Sequence, residues 1–134
     1  MNCLFADTSF YIALANPKDN LHEIAVRASD QWDGKVVTSE YILLELGNYL
    51  HNLQGRQVFL DLFQTLQEDE DTQIVPASPS LFQKGIRMYA DRPDKEWSLT
   101  DCISFAIMAE HDIAEALAAD HHFEQAGYRI LLSD

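Results

Sequence analysis

Cys3-Leu4-Phe5-Ala6-Asp7-Thr8-Ser9-Phe10 opens the sequence with four apolar residues, an acid and two hydroxyl side chains. An apolar run that short is strand-sized, and Asp7 falls where the strand gives way to the next element. Four more runs share this character: Lys35 to Thr38, Gln73 to Pro76, Ala114 to Ala119 and Arg129 to Leu132. Between them the apolar residues recur at helical spacing, as in Leu21, Ile24, Ala25 and Ala28, and again in Ile42, Leu43, Leu46 and Leu50. Short apolar strands alternating with helices predict an α/β fold around a parallel sheet of about five strands.

Local signals place the boundaries. Asn20 with Glu23 predicts a capping box before the first long helix, and Gly34 a left-handed residue after it. Ser78-Pro79 predicts an N-cap and first-turn proline for a helix through Ile86 and Met88. Gly127 is expected to close a short last helix, and the charged, proline-bearing stretch from Ala90 to Trp97 to form a surface loop.

The 134 residues, 47% hydrophobic, suffice for one domain with its own core, spanning 1–134. No apolar run reaches the roughly 20 residues of a membrane span, and no basic segment precedes a hydrophobic one at the N-terminus, so the expected location is the cytoplasm. Cys3 and Cys102 match neither a disulfide framework nor a zinc spacing and are read as reduced core thiols. Twenty-two acidic against nine basic residues give a net charge of −13, which by itself opposes binding to a polyanion. Carboxylates that hold divalent cations reverse that sign locally, and Lys84, Arg87, Arg92 and Lys95 group into a basic rim.

In a parallel sheet the carboxyl ends of the strands share one edge, so residues just beyond them meet across it. Asp7 and Asp120 both follow apolar runs at that position. Glu45 sits between Leu44 and Leu46 in the helix after the second strand, and Asp101 opens a largely apolar helix from Thr100 to Glu110. Four carboxylates brought together repel one another, and a divalent cation offsets that cost. All-oxygen ligands favour Mg2+ or Mn2+, and such ions activate water for phosphodiester hydrolysis. Taken singly, each acid has a plainer role. Asp7 and Asp120 suit N-caps, Asp101 completes a capping box with Ser98, and Glu45 suits a solvated helix face.

Together these segments resemble the PIN-domain family, and in length and layout the VapC-type toxin ribonucleases. The resemblance rests on Phe5-Ala6-Asp7-Thr8-Ser9-Phe10, on Val37-Thr38-Ser39-Glu40-Tyr41-Ile42-Leu43-Leu44-Glu45, on Trp97-Ser98-Leu99-Thr100-Asp101-Cys102 and on Ala119-Asp120-His121-His122-Phe123, in that order. It implies a three-layer α/β/α sandwich, Mg2+ or Mn2+ held by Asp7, Glu45, Asp101 and Asp120, and endonucleolytic cleavage of RNA. Thr8, Ser9, Thr38 and Ser98 would orient the carboxylates or bound water. A homodimer and a cognate antitoxin, whose basic tail enters the acidic groove, are implied as well. Two positions depart from the pattern: Ala118 replaces a threonine common in relatives, and His121 a basic residue, so Asp120 is expected to hold metal less firmly or through water.

Three other readings compete. A haloacid-dehalogenase-type phosphatase needs a second acid where Ser9 stands, and a receiver domain needs adjacent acids early and a late strand-end lysine. A catalytically silent PIN-like binding or scaffold module fits the charge but gives no reason for all four acids. His121 and His122, adjacent at a helix start, are read as structural, as are His22, His51 and His111. Trp32 reads as packing; Trp97, between the basic loop and Asp101, is the aromatic candidate for substrate contact, beside Arg92 and Lys95.

Overall fold

The computed structural model describes residues 2–133. The elements run β1 (Cys3–Ala6), α1 (Thr8–Ala15), α2 (His22–Gln31), β2 (Lys35–Ser39), α3 (Glu40–Tyr49), α4 (Leu53–Glu68), β3 (Thr72–Val75), α5 (Pro79–Asp91), α6 (Leu99–Glu110), β4 (Glu115–Leu117), α7 (His121–Gln125) and β5 (Arg129–Ile130). All strand pairs are parallel, in the order β3-β2-β1-β4-β5. Register is fixed at the centre, where Phe5 lies beside Val37 on one side and Ala116 on the other.

Strand order reverses at β1. The chain steps outward through β2 and β3, then returns across β1 to build β4 and β5. Right-handed crossovers therefore put α1 to α4 on one face and α5 to α7 on the other, giving three layers. The neighbouring helices agree, since α1 packs on α2 and α3 whereas α6 packs on α5 and α7. The gap between the carboxyl ends of β1 and β4 is a topological switch point, where open parallel sheets bind ligands.

The core beneath that gap is aromatic. Phe105 of α6 meets Phe123 of α7 edge-on at 5.0 Å and Trp97 at 5.1 Å, and Phe123 packs against Phe5 of β1 at 6.3 Å. Residues 101–108 of α6 are buried in an unbroken run, as expected of a helix with apolar residues on every side.

Several boundary signals hold. Ser78 accepts from the Leu81 amide with Pro79 in the first turn, and Gly127 adopts φ 97°, open to glycine at no steric cost. Two do not. The N-cap of α2 is Leu21, without a side-chain cap, and it is Asp19 that accepts from the Leu21 amide, at 2.9 Å. Gly34 is not left-handed; a Cβ there would stand 2.6 Å from the Trp32 ring, so the glycine serves close approach. No helix among the described residues is long and apolar enough to cross a membrane.

Candidate active site

Asp7 ends β1 and caps α1. Its Oδ2 accepts from the Ser9 hydroxyl at 2.9 Å and, more weakly, from the Ser9 amide at 3.4 Å. The Ser9 hydroxyl in turn accepts from the Ala119 amide at 3.3 Å, tying the first acid to the segment that carries the last. Asp101 occupies the third position of α6, and the capping box with Ser98 forms: the Asp101 amide donates to Ser98 Oγ at 3.0 Å, and the Ser98 amide to Asp101 Oδ2 at 3.1 Å. Asp120 caps α7 through the His122 amide at 2.9 Å. The plain roles of these three acids are thus real. They do not exclude the chemical one, because a carboxylate has about four acceptor sites and a cap uses only some of them.

Capping in fact serves the site. Three helix N-termini converge on the switch point, and their partial positive charge offsets part of the repulsion among the acids. The aromatic core sets the spacing, since Phe5, Phe105 and Phe123 lie two, four and three residues from Asp7, Asp101 and Asp120 respectively. Glu45 arrives from the other helical layer, one side of α3, where the Thr8 hydroxyl donates to its Oε1.

The result is an open cleft of about 370 Å³ lined by Asp7, Thr8, Ser9, Ile12, Glu45, Tyr49, Glu96, Ser98, Asp101, Asp120 and His122. All four predicted acids are there, from four separate segments, together with a fifth, Glu96. No lysine or arginine lines the cleft among the described residues. Burial pushes the Asp7 carboxyl up to about 6; the Ser9 hydroxyl opposes the rise and the neighbouring Asp101 charge adds to it. A desolvated carboxylate facing others, with no cationic side chain to meet it, is a donor set suited to a divalent cation.

Two of the expected supporting residues are placed otherwise. The Thr38 hydroxyl, fully buried, donates to the Ala6 carbonyl at 3.0 Å and so fixes β2 to β1 just before Asp7; it orients neither a carboxylate nor solvent. Trp97 is only 6% exposed, its indole N–H donates to Gln125 Oε1 at 3.0 Å, and the Arg92 guanidinium lies over its ring at 5.1 Å. No ring face is left for a base to stack on, so Trp97 is a core residue and leaves the substrate-contact set. Arg92 is held by Asp94 through two 3.0 Å contacts, and with Lys84 and Arg87 it lines a neighbouring cleft. Arg92 and Lys95 also border a groove with Glu96, the residue shared with the acidic cleft. The basic group therefore flanks the acids from outside.

The sequence reading missed His122. Its Nδ1 lies 3.1 Å from Asp101 Oδ2 and 3.2 Å from Asp120 Oδ2. Successive helical residues point about 100° apart, so of the two histidines only one enters the cleft; the His121 side chain is 69% exposed. The signal was the position two residues past a strand-end acid, not the histidine pair.

Acids placed this way on a sheet of this strand order agree with a family profile for the PIN domain, which matches residues 4–127. The chain belongs to the PIN-domain family. The 23S rRNA-specific endonuclease VapC20 of Mycobacterium tuberculosis is 27% identical over 125 residues, 93% of this chain and 95% of the relative. The crystal structure of that VapC20, described as a Sarcin-Ricin loop cleaving toxin, superposes with a TM-score of 0.86 at 26% identity over the same shares. The fold alone is shared with FitAcB from Neisseria gonorrhoeae, TM-score 0.67 at 21% identity, and with VapBC2 from Rickettsia felis, TM-score 0.66 at 11% identity, each over 96% of both chains.

Proposed function

We propose that this PIN-domain chain is a metal-dependent endoribonuclease and the toxin of a toxin-antitoxin pair. The observation that carries this reading is the convergence of Asp7, Glu45, Asp101 and Asp120, remote in sequence, on one cleft at the switch point. Mg2+ or Mn2+ bound by these carboxylates would supply the positive charge that receives a phosphodiester and activates a water for attack. The chain's own residues prepare that chemistry. Ser9 and the Ser98 amide hold Asp7 and Asp101 in fixed rotamers, and the Thr8 hydroxyl does the same for Glu45, so little reorganisation accompanies substrate binding. The Asp120 side chain is 36% exposed against 12% for Asp101, which suits contact with the metal through water. Lys95 and Arg92, which line the groove that meets the acidic cleft at Glu96, would steer the RNA backbone.

Ribosomal RNA is the first substrate to examine, because the VapC20 relative is a 23S rRNA-specific endonuclease. A basic antitoxin segment suits the acidic cleft, where an arginine would compete with metal for the carboxylates. The exposed stripe Phe82, Ile86 and Tyr89 on α5 supports a homodimer, which size-exclusion chromatography with light scattering tests. The decisive experiment incubates the purified chain with 23S rRNA and with a mixed RNA pool, in Mg2+ or Mn2+, beside a chelated control and Asp101→Asn. Cleavage that requires both metal and Asp101 is expected. A folded, antitoxin-free, metal-loaded chain that cuts nothing would instead be a silent PIN-like binding module.

A further inference from the structure

The acidic cleft has an apolar end that the metal chemistry leaves unexplained. Helix α1 supplies Thr8 and, one turn further along the same face, Ile12; α3 supplies Glu45 and, one turn further, Tyr49. The two polar residues are joined to each other, the Thr8 hydroxyl donating to Glu45, and the two apolar ones extend the cleft beyond them. Tyr49 is the only phenylalanine, tyrosine or tryptophan lining the cleft among the described residues, and it is 59% exposed. We propose that Tyr49 is the platform on which a base of the substrate RNA stacks, next to the phosphate that the metal receives. The inference rests on the nuclease reading for RNA as substrate, and on placement for the choice of residue.

A divalent cation of this kind is held by oxygen atoms and has no use for a phenol ring beside an isoleucine. A nucleotide does, because it joins a charged phosphate through one sugar to a flat ring with an apolar face. The Cα–Cβ bonds of a helix tilt toward its N-terminus, which for Tyr49 is the direction of Glu45 and the other acids. The remaining large aromatics are committed elsewhere. Tyr11 and Phe105 are buried, Trp97 is covered by Arg92, and the hydroxyls of Tyr41 and Tyr128 are spent on the carbonyls of Ser78 and Phe105.

Stacking also suits the charge of the cleft. Five acids and no lysine or arginine line it among the described residues, so no basic side chain there can grip a base or its phosphate. The face of a base meets an aromatic ring without needing positive charge, and every base has such a face. The contact therefore selects for an unstacked base, as in a single strand or loop, and not for one base identity. The cation seats the phosphate, and the ring fixes the nucleotide beside it.

The test maps the cleavage position with the parent chain and Mn2+, then compares short single-stranded RNAs across it that each carry one abasic residue at a different position. One position beside the cut bond is expected to be sensitive, kcat/KM falling on the order of tenfold when its base is removed, chiefly through KM. Tyr49→Leu should lose a similar factor on intact RNA, be indifferent to the abasic residue at that position, and unfold near the parent temperature. Tyr49→Phe should behave as the parent. In stopped flow, 2-aminopurine at that position should be quenched on binding, before turnover, by the parent and much less by Tyr49→Leu. A parent chain that cuts RNA with no abasic-sensitive position overturns the inference and leaves the nuclease reading standing. So does a Tyr49→Leu chain that cuts as the parent does or keeps its abasic sensitivity. Equal losses in Tyr49→Phe and Tyr49→Leu assign the effect to the hydroxyl and overturn the stack. A parent chain that cuts no RNA in either metal removes the nuclease reading and this inference with it.

Discussion

Replacing Asp7 by asparagine should make the metal-free chain more stable, not less. The Asp7 carboxyl titrates near 6 in the folded chain, against an ordinary 3.8, chiefly because burial penalises its charge. The folded state therefore binds this proton more tightly than the unfolded state. Stability is lost as pH rises between those two values, and above the upper one the penalty is complete. At pH 7.5 the shift corresponds to a ceiling of about 3 kcal/mol, and at pH 4 to about 0.5 kcal/mol. The Asp7→Asn substitution removes the charge and keeps the acceptor that the Ser9 hydroxyl and amide use. Burying the new amide group takes back part of the gain, leaving an expected increase of about 2 kcal/mol. For a chain of 134 residues that is a rise of about 7 °C in Tm. Thermal unfolding in EDTA, at pH 7.5 and pH 4, gives the comparison directly: a large advantage for the variant at the first and little at the second. Saturating Mn2+ should narrow the gap by stabilising the parent more. An asparagine variant no more stable than the parent at pH 7.5, or equally advantaged at both pH values, would refute the claim that Asp7 is held charged at a cost.

Two further substitutions separate fold from site. Trp97→Ala should lower stability by about 3–5 kcal/mol, because it opens a hole between Arg92 and Phe105; chemical denaturation should register this, and RNA affinity per folded molecule should change little. Thr8→Val keeps the buried volume and deletes the hydroxyl that holds Glu45; divalent-ion affinity by calorimetry should fall on the order of tenfold, and Thr8→Ser should restore it.

The architecture was legible because each strand is bounded chemically. Cys3 to Ala6 ends in Asp7, and the apolar run Leu117 to Ala119 that leaves β4 ends in Asp120, so the sequence marks the carboxyl side of the two adjacent strands β1 and β4 with residues that line the cleft. Asp101 was legible twice over, as the capping partner of Ser98 and as an acid heading a buried helix, and the structure keeps both roles. What sequence spacing does not carry is direction. Trp97 lies next to Ser98 in the chain yet turns inward onto Phe105, and Thr38 precedes the capping Ser39 yet directs its hydroxyl to the Ala6 carbonyl. The Asn20–Glu23 box failed for a related reason: the turn at Asp19 supplies the local hydrogen bond one residue earlier, and α2 starts uncapped at Leu21. His122 was hidden by its neighbour, since a histidine pair at a helix start invites a judgement on the pair, whereas the backbone sends the two rings to different environments.

The acidity that argued against nucleic acid becomes coherent once it is located. Among the described residues, four of the nine basic side chains are engaged in surface ion pairs, Lys35 with Asp71, Lys84 with Glu110, Arg92 with Asp94 and Arg129 with Glu115. The cleft holds five acids and, among the described residues, no lysine or arginine. A nuclease with basic walls could hold RNA whether or not its metal is bound. On the proposed reading this chain has no such independent hold at the reacting centre, so the cation that activates water is also the charge that seats the phosphate. Binding and catalysis then rise and fall together with metal occupancy. A positively charged protein segment entering the same cleft would suppress both at once, by occupying the carboxylates that the metal requires.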